Sequence, residues 1–167
     1  MTGTTASRRP SPVETIDGDL VDAFVAASRA LVAVAARSLS DLGEDVTLAQ
    51  YRALVVLSAR GPQRPADLAE LLQVTPSTAS RMVQRLVRKR LVRRVRSNQD
   101  RRTVKVHLTD TGHQVVEQVV VRRRAEIEVI LEQMPSRGRK AVAAALRSFA
   151  AAAGEVPEQD WALGWDQ

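Results

Sequence analysis

Residues 81–105 concentrate the groups that could do chemistry. They hold eleven cations (Arg81, Arg85, Arg88, Lys89, Arg90, Arg93, Arg94, Arg96, Arg101, Arg102 and Lys105) and a single acid, Asp100. The segment therefore carries +10 and the remainder of the chain −4, within a net charge of +6. The chemistry on offer is recognition rather than bond-making. Guanidinium and ammonium groups deliver charge and hydrogen bonds to phosphates, and Arg matches flat two-point acceptors such as a guanine edge. A solvated face usually mixes its signs. An unmixed basic block on an otherwise acidic chain points to a polyanion.

Reactive groups are scarce elsewhere. The absence of cysteine excludes disulfides, thiolate-ligated zinc and cysteine nucleophiles. There are two histidines, no G-x-S-x-G and no glycine-rich phosphate loop, so neither an enzyme nor a cofactor is expected. His107, Asp110 and His113 have metal-ligand side chains at a spacing of three. That segment crosses from a strand end into a helix, so the three need not converge, and Asp110 has a plain role beside a helix N-terminus. No metal is assigned.

The elements that must position the cations can be read from periodicity. Leu20, Phe24, Ala27, Leu31, Ala35, Leu39 and Leu42 recur at helical spacing through residues 17–42. Thr47 and Gln50 form a capping box opening a helix over about 48–59, which Gly61 and Pro62 end. "RPADLAELL" gives a short helix with Leu68, Leu71 and Leu72 inward. In "QVTPSTASRMVQRLVRKR", Thr75 is an N-cap and Pro76 stands at the first helical position, where its missing N–H costs nothing. Ala79, Met82, Val83 and Leu86 make its buried stripe. Ser77, Thr78, Ser80, Arg81, Gln84, Arg85 and Arg88 make an acid-free polar face opposite. The period then changes to two, with Val104, Val106 and Leu108 alternating against Thr103, Lys105 and His107. Together with residues 91–96 this predicts a β-hairpin with "SNQDR" at its tip. A long helix follows over about 110–133, and a last one over 137–152 with Val142, Leu146 and Phe149 inward.

A short helix, a tight turn and a second helix with a small polar N-terminal face form a helix-turn-helix whose second helix can enter a DNA major groove. A hairpin directly after it makes a winged helix, whose tip lies over the backbone or inserts arginine into the minor groove. The recognition-helix candidates are Thr75, Ser77, Thr78, Ser80, Arg81, Gln84 and Arg85. The wing candidates are Arg94, Arg96, Ser97, Asn98, Arg101, Arg102 and Lys105. Asp100 is read as a buttress that holds an arginine in a fixed direction, with a simple turn role as the alternative. Two competing readings share the basic block. A non-specific or architectural DNA binder would not need the Ser, Thr and Gln suited to base edges. An RNA binder would want stacking aromatics, which residues 75–109 lack, and a membrane-surface helix would want large apolar groups opposite its cations.

The stretches "LAQYRALVVLSARG", "RPADLAELLQVTPSTASRMVQRLVRKRLVRRV" and above all "DRRTVKVHLTDTG" resemble the MarR family of winged-helix regulators. The last resembles the family's wing signature through Asp100, Arg102, Leu108, Thr109 and Gly112. The resemblance spans about residues 17–152. It implies a mainly α fold with a small β-hairpin wing, in which a winged helix-turn-helix over 47–109 joins a helical dimerisation region over 17–46 and 110–153. It further implies a homodimer on a pseudo-palindrome in double-stranded DNA, acting as a repressor and released by a small aromatic or phenolic effector. Phe24, Ser28 and Tyr51 are the candidate lining of an effector pocket, although Phe and Tyr on helix inner faces are more often core. Two positions depart from the family pattern. Gln73 and Arg90 stand where many members have glycine, so either the turns change shape or strain is tolerated.

The ends carry less. Residues 1–16 are expected to be a disordered arm, and no apolar run approaches the ~18 residues of a membrane span, so a cytoplasmic protein is expected. The acidic tail, 154–167, contains Trp161 and Trp165 and is expected to dock rather than float.

Overall fold

The computed structural model describes residues 17–40, 46–96 and 103–161. The order of elements is α1 (Gly18–Ser40), α2 (Leu48–Arg60), α3 (Pro65–Leu71), α4 (Pro76–Arg88), β1 (Val92–Arg96), β2 (Val104–Leu108), α5 (Asp110–Glu132) and α6 (Arg139–Ala152), followed by a 3₁₀ turn at Glu158–Asp160. This is the mainly helical winged-helix architecture that the sequence predicts. By chain contacts the molecule divides into two units, Met1–Ala33 and Val34–Gln167.

In the first unit the described residues form one helical segment with apolar side chains in solvent. Leu20, Val21, Val25, Leu31 and Val32 are all exposed. Leu20, Ala27 and Leu31, expected to face inward, are therefore uncovered within the single chain, and Phe24 is half-buried.

The second unit holds the core. Tyr51, Leu54 and Leu57 of α2 pack with Leu68, Met82, Val83 and Leu86, with Leu91, Val92, Val106 and Leu108 of the hairpin, and with Val115, Val116 and Val119 of α5. The helix bounds follow local signals. The Thr47 hydroxyl accepts from Gln50 N while the Gln50 side chain accepts from Thr47 N, completing the predicted capping box. The two strands pair antiparallel, from Val92 against Leu108 to Arg96 against Val104. Gln63 bridges the other edge of β2. Its N–H donates to Val106 O at 3.2 Å and its carbonyl accepts from Val106 N at 2.7 Å. The segment after α2 is thus a third, one-residue strand of the wing sheet.

Past Val120, α5 leaves the core, and α6 has no buried residue. Val142, Leu146 and Phe149, expected inward, are exposed, as are Val129, Ile130 and Leu131 of α5. The periodicity is correct, but among the described residues the stripe is left largely exposed.

Candidate nucleic-acid interface

Two tight turns position the basic face, and a third, after α6, has the same hydrogen-bond pattern. After α3, Gln73 N donates to Glu70 O and Val74 N to Ala69 O, both at 3.0 Å. After α4, Arg90 N donates to Val87 O at 2.9 Å and Leu91 N to Leu86 O at 3.0 Å. After α6, Gly154 N donates to Ala151 O and Glu155 N to Ala150 O, both at 3.0 Å. These are Schellman endings, which need a left-handed residue just past the helix. Gly154 suits that place, with φ 74°, but Gln73 at φ 53° and Arg90 at φ 59° take it with side chains. The turns therefore keep their shape where the sequence departs from glycine, and each departure stores about 1 kcal/mol of backbone strain.

The first of these turns aims α4. Thr75 caps the helix, its hydroxyl accepting from Thr78 N at 3.2 Å and lying 3.0 Å from Ser77 Oγ and 2.9 Å from Thr78 Oγ1. Pro76 opens the helix as the sequence predicts. Ala79, Met82, Val83 and Leu86 are buried, which turns Ser77, Ser80, Arg81, Gln84, Arg85 and Arg88 outward, all exposed. Thr78 is half-buried, and its contact with Thr75 makes both more a part of the cap than of the free surface. Arg81 Nε reaches back to donate to Ser77 O at 3.4 Å.

The second turn launches the wing. In an antiparallel pair, directly opposed residues share a face. Arg94 and Arg96 therefore lie on the face of Val104 and Val106, and Arg93 and Lys105 on the face of His107. Cations flank both faces of the hairpin instead of one, and all four are exposed. The His107 ring is held below its ordinary pKa, first by partial burial and then by Arg93 and Lys105. The carboxyl of Asp67 on α3 is held low by a two-point hydrogen bond from Arg64, at 2.7 and 2.6 Å, with Lys105 adding to the effect. Ser97, Asn98, Asp100, Arg101 and Arg102 lie outside the described residues.

The far end of the wing signature has a role that the sequence left unassigned. Thr109 Oγ1 donates to Arg90 O at 2.6 Å and accepts from Gly112 N at 3.1 Å, while Thr109 N donates to Leu91 O at 3.1 Å. A Cβ on Gly112 would stand 2.1 Å from that same Leu91 carbonyl oxygen. Thr109 and Gly112 thus knot the end of α4 to the start of α5, and only glycine allows the approach. Exposed positions at a tight turn suggested base or phosphate contacts; a close backbone approach has no signal except an unexplained glycine.

The other candidates separate. Among the described residues no group of three His, Asp or Glu comes together as a metal site, so His107, Asp110 and His113 do not converge. Tyr51 is a core residue whose phenol is pushed up in pKa by burial, with the Arg123 guanidinium 5.2 Å over its ring. The Ser28 hydroxyl donates to Val25 O at 2.8 Å. A cavity of about 800 Å³ lies between α2, α5 and the tail, lined by Ser58, His113, Val116, Glu117, Val120, Val121, Arg124, Glu158, Gln159 and Trp161, and Tyr51 is not part of its wall.

A family model described as MarR family matches residues 46–104. The crystal structure of RV1404 from Mycobacterium tuberculosis is 42% identical, with a TM-score of 0.80 over 87% of this chain and 99% of that one. Wild-type MarR from E. coli, in its apo form, is 25% identical, with a TM-score of 0.66 over 81% of this chain and 98% of that one. The HTH-type transcriptional repressor MdtR of Bacillus subtilis (strain 168) is 35% identical over 82 residues, 49% of this chain and 53% of that protein. The chain spans about half the length of the curated relatives it matches. The helix-turn-helix, the hairpin with its knot at Thr109 and Gly112, and these likenesses agree: the chain belongs to the MarR family.

Proposed function

We propose that this protein is a sequence-specific, DNA-binding transcriptional regulator that acts as a cytoplasmic homodimeric repressor. The observation that carries the reading is the exposed face of α4. Ser77, Ser80, Arg81, Gln84 and Arg85 stand together without an acid, opposite a fully buried stripe and beside a wing with cations on both faces. Hydroxyl and amide groups read base edges, arginine reads guanine or grips phosphate, and the wing adds backbone contacts. By resemblance to the family's wing signature, Arg102 is assigned a DNA contact with Asp100 as its buttress, and Arg101 is assigned a DNA contact beside them. None of this chemistry breaks a bond, and the protein is not an enzyme.

The dimer is supported by the uncovered apolar side chains of α5 and α6, which a second copy would bury. Two such copies would offer paired recognition helices to half-sites about 34 Å apart, one turn of DNA. The relative MdtR is a transcriptional repressor, and the same sign of regulation is assigned to this protein. Release by a small aromatic or phenolic effector completes the reading, with the α2–α5 cavity as the space available to it. No described helix is long and apolar enough to cross a membrane.

The test is a selection of genomic fragments bound by purified protein at physiological salt. A pseudo-palindromic site with half-sites one helical turn apart is expected. Recovery without sequence preference would overturn specific regulation in favour of an architectural DNA-binding role.

A further inference from the structure

The chain beyond α6 does not leave the molecule. Gly154 turns it back, and from there three arginines of two other helices hold it. Arg60 of α2 donates to Gly154 O at 3.0 Å. Arg52, two turns earlier on α2, makes a two-point ion pair with Glu155. Arg124 of α5 pairs with Glu158 at 2.6 Å. Trp161 then packs against the core, its indole N–H donating to Val156 O at 3.0 Å and closing the segment on itself. The expected docking of the tail is met for Trp161, and the docking ground is α2 and α5.

We propose that residues 154–161 are a brace between α6 and the winged helix, and that Arg52 and Glu155 are positioning residues that fix the half-site spacing which the dimer accepts on DNA. The inference rests on the dimeric DNA-binding reading above. If α6 is part of the interface between copies, its end is fixed relative to the partner's winged helix. α2 opens the DNA-binding module of its own chain. A link from the end of α6 to two points on α2, Arg52 and the C-terminal Arg60, therefore restrains the module's orientation, and with it the distance between the two recognition helices. The link is built from ion pairs about half in solvent. Such pairs are individually weak and screened by salt, so the brace holds through several small contacts acting together and can be released without unfolding the core.

The experiment uses the full chain carrying Trp165→Phe, so that fluorescence reports Trp161 alone, and compares it with Glu155→Ala and with the charge exchange Arg52→Glu/Glu155→Arg. Affinity is measured on a series of DNA duplexes whose half-sites are moved one base pair closer or further apart. With Glu155→Ala, Trp161 should become more accessible to iodide. Affinity for the preferred spacing should fall about tenfold, affinity for neighbouring spacings should change little, and the charge exchange should restore both. A part that only stabilises the fold would lower the melting temperature and leave the order of spacings as it was. Unchanged spacing discrimination in Glu155→Ala overturns the proposal, as does a Trp161 that stays shielded. If the parent chain shows no spacing preference at all, the dimeric reading has failed first, and the brace falls with it.

Discussion

The α3–α4–wing region and the α5–α6 region handle their apolar residues in opposite ways. In the first, every large apolar side chain of the recognition helix except Val87 is buried, and the cations stand outside. In the second, α6 buries nothing, and Phe149 is 56% exposed. Among its described residues the first region buries its apolar side chains within the chain and presents a basic surface. The second leaves its apolar stripe largely in solvent, the surface that the proposed dimer would cover. A strongly basic face repels copies of itself, whereas an uncovered apolar stripe attracts them, so each region excludes the other's partner.

The comparison breaks most readily at α6. Leu146→Glu with Phe149→Glu should abolish self-association at micromolar concentration while leaving the core of the winged helix folded, as sedimentation and circular dichroism would show. If the double variant still sediments as a dimer, the stripe is not the interface. Next is Gly112→Ala, which should cost about 3 kcal/mol or more in denaturant unfolding, because the added carbon would stand 2.1 Å from the Leu91 carbonyl oxygen and 3.0 Å from Leu108 Cδ2. A near-neutral result would remove the knot. Arg94→Ala should weaken DNA binding modestly and reduce the slope of log affinity against log salt by about one; a steeper slope would contradict a phosphate contact. Arg90→Gly should stabilise the fold by about 1 kcal/mol by relieving the left-handed residue, and at the same time weaken DNA binding. Loss of stability would mean that the arginine side chain, not the backbone, matters there.

The smallest effect concerns His107. Its folded pKa lies below the unfolded value, so the unfolded chain takes up a proton first as pH falls. Stability is then undiminished above the ordinary histidine range and declines as pH drops through it toward the folded pKa. His107→Gln should flatten the dependence of unfolding free energy between pH 7.5 and 5. An unaltered curve would show that other groups set it.

What the sequence made legible follows the range of the forces involved. Thr47, Thr75, Pro76 and Gly61 act within one turn of chain, and they placed the helix ends within a residue or two. The stripes of α1, α5 and α6 were visible as periodicity, but periodicity marks an apolar face without saying what covers it. Val142, Leu146 and Phe149 remain largely exposed among the described residues. The recognition face was legible because its complement, Ala79 to Leu86, is a local pattern. The brace was not, since Arg52 and Glu155 are separated by 103 positions and exposed charges carry no period. The Schellman turns at Gln73 and Arg90 were marked only through the family resemblance, which left their shape open, because the glycine that usually signs such a turn is absent at both positions.

The knot at Thr109 has a mechanical consequence. It fastens the root of the wing and the end of the recognition helix to the first turn of α5, which then runs unbroken to Glu132. At 1.5 Å per residue this helix is a rod about 34 Å long. A tilt of about 5° imposed at its far end, where the apolar stripe lies, displaces the other end by about 3 Å relative to that stripe, close to the ~3.4 Å step of one base pair. Helix α5 is a lever, and a small tilt at one end becomes, at the root of the wing, a movement on the scale of one base-pair step.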